Sequence, residues 1–131
     1  MAKVFLIDDN PLEHFIADRM LNKYARPLEI LHSVDARLAL DFLKEHSQDI
    51  VALPDLILLD LNMPHFSGGD FLKSFTLVEN QLIKHVDIFI LTSSISNSDR
   101  NFCKKFPFVK SYFVKPITQH IIQQIFSSQA L

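Results

Sequence analysis

The stretch that most constrains the fold runs from Pro54 to Pro64 and reads PDLILLDLNMP. Its apolar residues 56–59 lead without a break into the carboxylate of Asp60. An apolar run of this length between chain-breaking residues is typical of a strand covered on both faces, as in a parallel sheet. Asp60 would then lie at the carboxyl end of that strand, the edge of an open α/β sheet where ligands bind. An aspartate after a strand also caps turns, so the rest of the chain has to decide between the two roles.

Four further short apolar segments, residues 4–7, 28–31, 86–91 and 112–114, are predicted to be strands. Between the strands, apolar residues recur at helical spacing, which predicts a helix after each strand. The predicted inner faces of these helices are Ile16, Ala17, Met20, Leu21 and Tyr24; Ala36, Ala39, Leu40 and Leu43; Phe71, Leu72, Phe75, Val78 and Leu82; Phe102, Cys103 and Phe106; and Ile117, Ile121, Ile122 and Ile125.

Local signals place three helix ends. The first helix is predicted to end near residues 25–26, because the residue before Pro27 disfavours the α conformation. Asp35 is placed to cap the second helix. Ser67 and Asp70 have the spacing of a capping box at the start of the third.

Five strands that alternate with five helices predict an α/β fold. It would be a doubly wound, five-stranded parallel sheet with right-handed crossovers and helices on both faces. The 131 residues are 48% hydrophobic, which is enough for one domain with its own core. We therefore expect a single domain over residues 1–131.

Composition excludes several classes of function. Thirteen basic against fifteen acidic side chains leave no electrostatic case for nucleic acid or membrane partners. No apolar run approaches the ~20 residues of a membrane span. The two glycines, Gly68 and Gly69, are adjacent, whereas the common phosphate-binding loops need several spaced glycines. Cys103 is the single cysteine, which excludes a disulfide or a cysteine zinc site and fits a reducing cytoplasm.

Polar side chains follow four of the predicted strands directly: Asp8 and Asp9, Asp60, Thr92, and Lys115. The carboxyl ends of parallel strands all point the same way, so one sheet edge would bring these side chains together. Each alone has an ordinary structural role as a turn former, a helix cap or a solvated strand end. Their occurrence together at one edge indicates a site.

Three carboxylates brought together repel one another, so at least one pKa should rise unless a cation is bound. Oxygen ligands with room for water suit Mg²⁺. A metal ion, the Lys115 ammonium and the Thr92 hydroxyl around one carboxylate are what a phosphoryl group requires, with Asp60 as the nucleophile that forms an acyl phosphate. The histidines show no metal-binding spacing, and we expect His14 and His65, near this edge, on the surface.

Together these residues resemble the response regulator receiver domain of two-component signal transduction, over essentially the whole chain. The fold this implies is flavodoxin-like, (βα)5. The resemblance is closest to the stand-alone, chemotaxis-regulator type, so no effector domain is expected. The motifs that carry it are Asp8-Asp9, Asp60 with Asn62-Met63-Pro64, Thr92-Ser93 and Lys115-Pro116.

The resemblance implies a role for each acidic residue. Asp60 is implied to be the phosphoacceptor, which receives the phosphoryl group from a histidine kinase or a phosphotransfer protein. Asp8, Asp9 and Asp60, with the backbone carbonyl of Asn62, are implied to hold Mg²⁺, for which Mn²⁺ can substitute.

Lys115, Thr92 and Ser93 are implied to bind the phosphoryl group, and Thr92 and Tyr112 to form the switch. A cis peptide bond is implied between Lys115 and Pro116, which the proline permits. Ser67 and Ser93 stand where many members of the family have aspartate and alanine. We expect the first departure to alter only the helix cap, and the second to affect access to the phosphate and with it the rate of dephosphorylation.

The expected output is protein contact or phosphate relay in the cytoplasm, through the last helix, strand and helix of the chain. We expect a signalling protein rather than an enzyme, present as a monomer or as a weak dimer through that face. Two alternatives stay open. One is a pseudo-receiver that serves as an interaction module without phosphorylation. The other is a phosphatase of the haloacid dehalogenase type, although such enzymes have an aspartate two residues after the nucleophile, where this chain has Asn62.

Overall fold

A computed structural model describes residues 2–25 and 28–129, the last two by their backbone only. The strands are β1 (Ala2–Ile7), β2 (Leu28–Ser33), β3 (Leu56–Leu59), β4 (Asp87–Thr92) and β5 (Val109–Val114). The helices are α1 (Pro11–Tyr24), α2 (Ala36–Glu45), α3 (Gly68–Val78), α4 (Asn97–Cys103) and α5 (Gln119–Gln129), with a 3₁₀ turn at Glu79–Gln81.

Within the described residues, the five strands form one parallel sheet in the order β2-β1-β3-β4-β5. The chain winds outward from β1 to β2, then crosses to β3 and continues in the opposite direction. The strand order therefore reverses between β1 and β3, and in such sheets ligands bind at the carboxyl ends beside that point. The α/β fold predicted from the sequence is confirmed.

Alternation along the strands builds a separate apolar layer on each face of the sheet. Phe5, Ile57 and Leu59 point toward α2, α3 and α4, whereas Val4 and Leu58 point toward α1 and α5. Successive strand residues face opposite sides, and both sides are buried, so the strands read as continuous apolar runs.

The predicted helix starts are confirmed. The Asp35 side chain accepts hydrogen bonds from the first backbone amides of α2. Ser67 and Asp70 form a reciprocal capping box, in which each side chain accepts from the backbone N–H of the other. α1 ends at Tyr24, with Ala25 as its C-cap, as predicted; residues 26–27, on which that prediction also rested, lie outside the described part of the chain.

The inner face of α1 differs from the prediction. Its buried residues are His14, Ala17 and Leu21, at positions i, i+3 and i+7, whereas Ile16 and Tyr24 are each 36% exposed. The prediction was based on the apolar residues alone, whereas the helix turns the polar imidazole ring of His14 toward the sheet. The prediction that His14 lies on the surface was therefore wrong. His65 is exposed, as predicted.

The last two helices follow the sequence more closely. Cys103 of α4 is buried, and Phe102 packs half-buried against the same core. α4 ends at Cys103, so Phe106, predicted on this helix, packs against that core from the segment that follows. Ile122 and Ile125 of α5 are buried in the opposite layer. Among the helices that the structure describes, none is long and apolar enough to cross a bilayer.

Candidate functional site

The fold brings the predicted polar residues to one edge of the sheet. Asp8 follows β1, Asp60 follows β3, Thr92 is the last residue of β4 and Lys115 follows β5. Three of these residues are buried: Asp8 is 2% exposed, Asp60 5% and Thr92 0%. Burial of polar groups on this scale is costly unless they bond to one another or to a ligand.

Lys115 joins the acidic residues. Its Nζ donates a hydrogen bond to Asp8 Oδ2 at 2.7 Å and lies 3.7 Å from Asp60 Oδ2. Glu13, in the first turn of α1, places its Oε2 3.8 Å from the same ammonium. Sequence reasoning missed Glu13, because a charge in a helix's first turn ordinarily reads as a response to the helix dipole.

The three aspartates form a candidate cation site. Asp8, Asp9 and Asp60 each offer a carboxylate oxygen, and these oxygens all lie within 4.8 Å of one another. Asp9 is exposed, so water can reach the cluster and complete a coordination shell. An all-oxygen donor set that is open to water fits Mg²⁺ or Mn²⁺ rather than zinc, which prefers nitrogen and sulfur.

Electrostatics at this edge favour a bound cation. Burial raises the pKa of Asp60; the Lys115 charge opposes that rise, and the Asp8 charge adds to it. For Lys115, burial by itself lowers the pKa. The hydrogen bond to Asp8 and the charges of Asp60, Asp8 and Glu13 outweigh that effect, so the pKa of Lys115 is raised. The ionised form of Asp60 is therefore less favourable at this edge than in water, and a bound cation would offset that cost.

Neighbouring backbone and side-chain groups hold Asp60 in place. The backbone N–H of Asn62 lies 3.4 Å from Asp60 Oδ1, and the Asn62 side chain donates to Thr92 Oγ1 at 3.3 Å. The start of α3 packs directly against this loop, where the Gly68 amide donates to the Leu61 carbonyl at 3.1 Å. A Cβ on Gly68 would lie 2.3 Å from the Asp60 carbonyl oxygen. Sequence reasoning used Gly68 only to exclude phosphate loops and missed this close approach.

The loop after β4 connects the site to β5. The backbone N–H of Ser94 lies 3.4 Å from Thr92 Oγ1, and the Ser94 hydroxyl donates to Asp99 of α4 at 2.6 Å. The Tyr112 hydroxyl of β5 donates to the Ser94 carbonyl at 2.9 Å. Ser93 is exposed beside Thr92. A movement of Thr92 would thus act on α4 and on Tyr112 through one residue, Ser94, which the sequence did not single out.

The backbone at Lys115 and a cleft beside Asp9 complete this edge of the sheet. The Lys115–Pro116 peptide bond is cis, as the resemblance implied, and the Lys115 N–H donates to the Thr92 carbonyl at 2.8 Å. A cleft of about 200 Å³ opens beside Asp9, with Met63 and His65 among its lining residues. The acidic cluster is therefore accessible from outside on the Asp9 side.

A family model matches most of the chain: residues 4–127 fit that of the response regulator receiver domain. The chain is similar to the probable methanogenesis regulatory protein FilR2 of Methanothrix harundinacea. The two are 26% identical over 117 residues, which cover 88% of this chain and 72% of that protein.

Two solved structures have the same architecture. The chemotaxis protein CheY4 of Vibrio cholerae superimposes with a TM-score of 0.77 at 24% identity, covering 98% of each chain. The Mn²⁺-bound form of the response regulator Rcp1 superimposes with a TM-score of 0.75 at 20% identity, over 100% of this chain and 94% of that one. At these identities the likeness establishes the fold, and it confirms the flavodoxin-like (βα)5 arrangement.

Proposed function

Because this chain belongs to the response regulator receiver domain family, we propose that it accepts a phosphoryl group on Asp60 and signals by protein contact. Receiver domains are signalling proteins rather than enzymes in the usual sense. The observation that carries the proposal is the convergence of Asp8, Asp9, Asp60 and Lys115 at one sheet edge, with a single lysine close to two buried carboxylates.

Each residue has a chemical role in this proposal. A carboxylate oxygen of Asp60 attacks the phosphorus of a phosphohistidine, so that a P–O bond forms as the P–N bond breaks and the imidazole leaves. The Lys115 ammonium balances charge on the incoming phosphoryl group. The Thr92 hydroxyl donates to a phosphoryl oxygen, and the exposed Ser93 borders it.

Asp8, Asp9, Asp60 and the backbone carbonyl of Asn62 would hold Mg²⁺, with Mn²⁺ as a substitute. When bound, this ion supplies positive charge that screens the carboxylates from the phosphoryl oxygens. The oxygen donor set and its access to water support the assignment. The manganese in the Rcp1 structure supports it by analogy.

Thr92 and Tyr112 would form the switch. Thr92 moves toward the phosphoryl group, and the hydrogen bonds of Ser94 pass that movement to Tyr112 and α4. Shifting a 1:99 mixture of states to 99:1 needs about 5.5 kcal/mol of differential stabilisation. Two hydrogen bonds to a charged acceptor, at about 1.5–3 kcal/mol each, are of that size.

The partners in this proposal are a histidine kinase or phosphotransfer protein as donor and a downstream protein or relay as receiver. The output surface is α4, β5 and α5, through which the chain acts as a monomer or a weak dimer. We place the exchange in the cytoplasm, in keeping with the free, buried thiol of Cys103, and residues 1–131 as a single receiver unit.

Acetyl phosphate with Mg²⁺ tests the proposal. Intact-protein mass spectrometry should show one added phosphoryl group on the wild type and none on Asp60→Asn. Asp41→Asn, at an exposed position on α2, should be labelled like the wild type. Absence of label on the wild type, or equal label on Asp60→Asn, would contradict the phosphoacceptor role and favour an interaction module that works without phosphorylation.

A further inference from the structure

His14 lies in the first turn of α1, and its side chain extends to the backbone of Asp8. It is 7% exposed, and its Nε2 lies 2.7 Å from the backbone carbonyl oxygen of Asp8. A carbonyl oxygen only accepts hydrogen bonds, so Nε2 carries the hydrogen and donates it. In the neutral ring, Nδ1 is then an acceptor.

A second histidine completes the arrangement. His32, on β2, places its Nδ1 2.8 Å from Nδ1 of His14. Because that nitrogen of neutral His14 accepts, Nδ1 of His32 donates, whether or not His32 carries a second proton. The far nitrogen of His32 lies 3.8 Å from Asp18 Oδ1. With a neutral His14 ring, the hydrogen bonds therefore run from His32 to His14 and from His14 to the Asp8 carbonyl.

The other polar groups of Asp8 have partners of their own. Its backbone N–H donates to the Ser33 carbonyl at 3.1 Å. Its Oδ1 accepts from the Asn10 N–H at 2.9 Å, and its Oδ2 accepts from Lys115 Nζ at 2.7 Å. The carbonyl that His14 holds is the group that belongs to the peptide joining Asp8 to Asp9.

The orientation of that peptide determines how the two acids stand relative to each other. Asp8 is fixed by β1 and Lys115, whereas Asp9 is exposed and lies one residue beyond the strand. Rotation of the peptide plane between them would turn Asp9 relative to Asp8 and Asp60. A cation that needs three oxygens at short distances is sensitive to such a rotation.

We propose that His14 is a positioning residue, which donates Nε2–H to the Asp8 carbonyl and thereby sets the geometry of the Asp8-Asp9 pair that binds the divalent cation. The proposal rests on the function proposed above, because it assumes that the acids bind Mg²⁺. His14 touches neither the ion nor the phosphoryl group, and acts through the backbone of a ligand. Groups that orient metal ligands in this way commonly affect metal affinity by about 10- to 100-fold.

Mg²⁺ binding without any phosphodonor, followed by isothermal titration calorimetry, tests the role directly. His14→Leu removes the donor and fills the buried position with an apolar side chain, so we expect Mg²⁺ affinity about tenfold weaker than in the wild type. His14→Gln keeps an N–H donor and should recover most of the loss. Ile125→Val, a small change in the core layer on the α1–α5 face, is the matched control and should leave Mg²⁺ affinity unchanged.

The results separate this inference from the proposed function. If the wild type binds Mg²⁺ and takes the label while His14→Leu binds Mg²⁺ equally well, the positioning role is overturned and the function stands. If Ile125→Val weakens binding as much as His14→Leu, affinity follows general stability, and the positioning role is likewise overturned. If the wild type binds no Mg²⁺, the proposed function itself fails.

A measurement on the wild type covers the case in which His14→Leu does not fold. Long-range ¹H–¹⁵N NMR spectra distinguish protonated from unprotonated ring nitrogens. We expect His14 with its hydrogen on Nε2 and an unprotonated Nδ1. A ring protonated only on Nδ1 cannot donate to the Asp8 carbonyl and would overturn the proposal.

Discussion

Asp60 is the residue at which stability and function oppose each other. The residue is 5% exposed. Its carboxylate has the Asp8 carboxylate as a neighbour and lies near a lysine whose shorter contact is to Asp8. A buried carboxylate is costly unless its charge is fully compensated. The cation proposed above would add to the compensation that Lys115 provides only in part.

The raised pKa of Asp60 fixes the sign of a stability effect. The folded state binds this proton more tightly than the unfolded chain does, so the free energy of unfolding falls as pH rises from the ordinary value of 3.8 through the raised value. Above that pH range, the ionised carboxylate lowers the free energy of unfolding by a constant amount. Asp60→Asn should therefore raise the free energy of unfolding by about 0.5–2 kcal/mol at pH 7 without Mg²⁺.

Urea unfolding followed by far-UV circular dichroism measures this difference. The gain should shrink as pH is lowered toward 3.8, where the wild-type carboxyl becomes neutral as well. Mg²⁺ should stabilise the wild type and not Asp60→Asn. Asp41→Asn serves as the exposed control, and a loss of stability in Asp60→Asn at pH 7 would show that the carboxylate is well compensated without metal.

At the residue scale, the sequence was sufficient to predict the positions of the polar groups that directly follow strands. Asp8, Asp60 and Lys115 each come immediately after an apolar run, and parallel strands bring such positions together. The buried position of His14 was not predictable, because its contacts are with a backbone carbonyl and with a residue of β2, and neither is visible in the spacing of apolar residues along α1.

At the scale of elements, the contact between α3 and the Asp60 loop sets how closely a helix start can approach the site. The capping box of Ser67 and Asp70 fixes where α3 begins, and that start places Gly68 against the Asp60 backbone. The two adjacent glycines differ in this respect. The nearest neighbours of a Cβ on Gly69 would be side-chain atoms, the Phe102 ring at 3.3 Å and the Ser67 hydroxyl oxygen at 3.6 Å.

This difference predicts that two similar substitutions have unequal effects on stability. Gly68→Ala would force apart two backbone segments, and should lower the free energy of unfolding by about 1–3 kcal/mol or more. Gly69→Ala meets a side chain that can shift, and the helix propensity of alanine, about 1 kcal/mol better than glycine, offsets that cost. Chemical denaturation of both variants measures the contrast.

Gly68→Ala should also reduce phosphorylation by acetyl phosphate, because the displaced loop carries Asp60 and Asn62. Gly69→Ala should be labelled like the wild type. Equal stability of the two variants would mean that α3 can move away from the loop without cost, and would remove the proposed role of Gly68.

The elements show why sequence reasoning succeeded in some places and failed in others. The Ser67 and Asp35 caps were predictable because capping depends on residues a few positions apart. The inner face of α1 was not, since Ile16 and Tyr24 fit the apolar pattern as well as Leu21 does. Only the docking of α1 against β2 and α5 decides which of these faces is buried.

At the scale of the whole molecule, the sheet separates two apolar layers and joins two functional regions. Asp60 lies beside the switch point between β1 and β3, and the proposed output surface lies at the β5 edge. The connection visible in the structure runs along the carboxyl edge, from Thr92 through Ser94 to Tyr112. The β2 edge, with α2, lies on the other side of the site. The sequence indicated both ends of this proposed route but not Ser94, whose contacts depend on the geometry of the loop.

Beryllofluoride with Mg²⁺, which mimics a phosphoryl group on the aspartate, should therefore change the molecule asymmetrically. In ¹H–¹⁵N NMR spectra we expect chemical-shift changes at residues 92–96, in α4 and in β5, and small changes in α2 (residues 36–45).

Tyr112→Phe removes the hydrogen bond to the Ser94 carbonyl, which is worth about 0.5–1.5 kcal/mol. In that variant the changes at 92–96 should remain while those in β5 decrease. Tyr24→Phe, on the exposed end of α1, is the matched control and should respond like the wild type. Changes of equal size in α2 and β5, or an unaltered β5 response in Tyr112→Phe, would show that the signal spreads through the core layers instead of along the carboxyl edge.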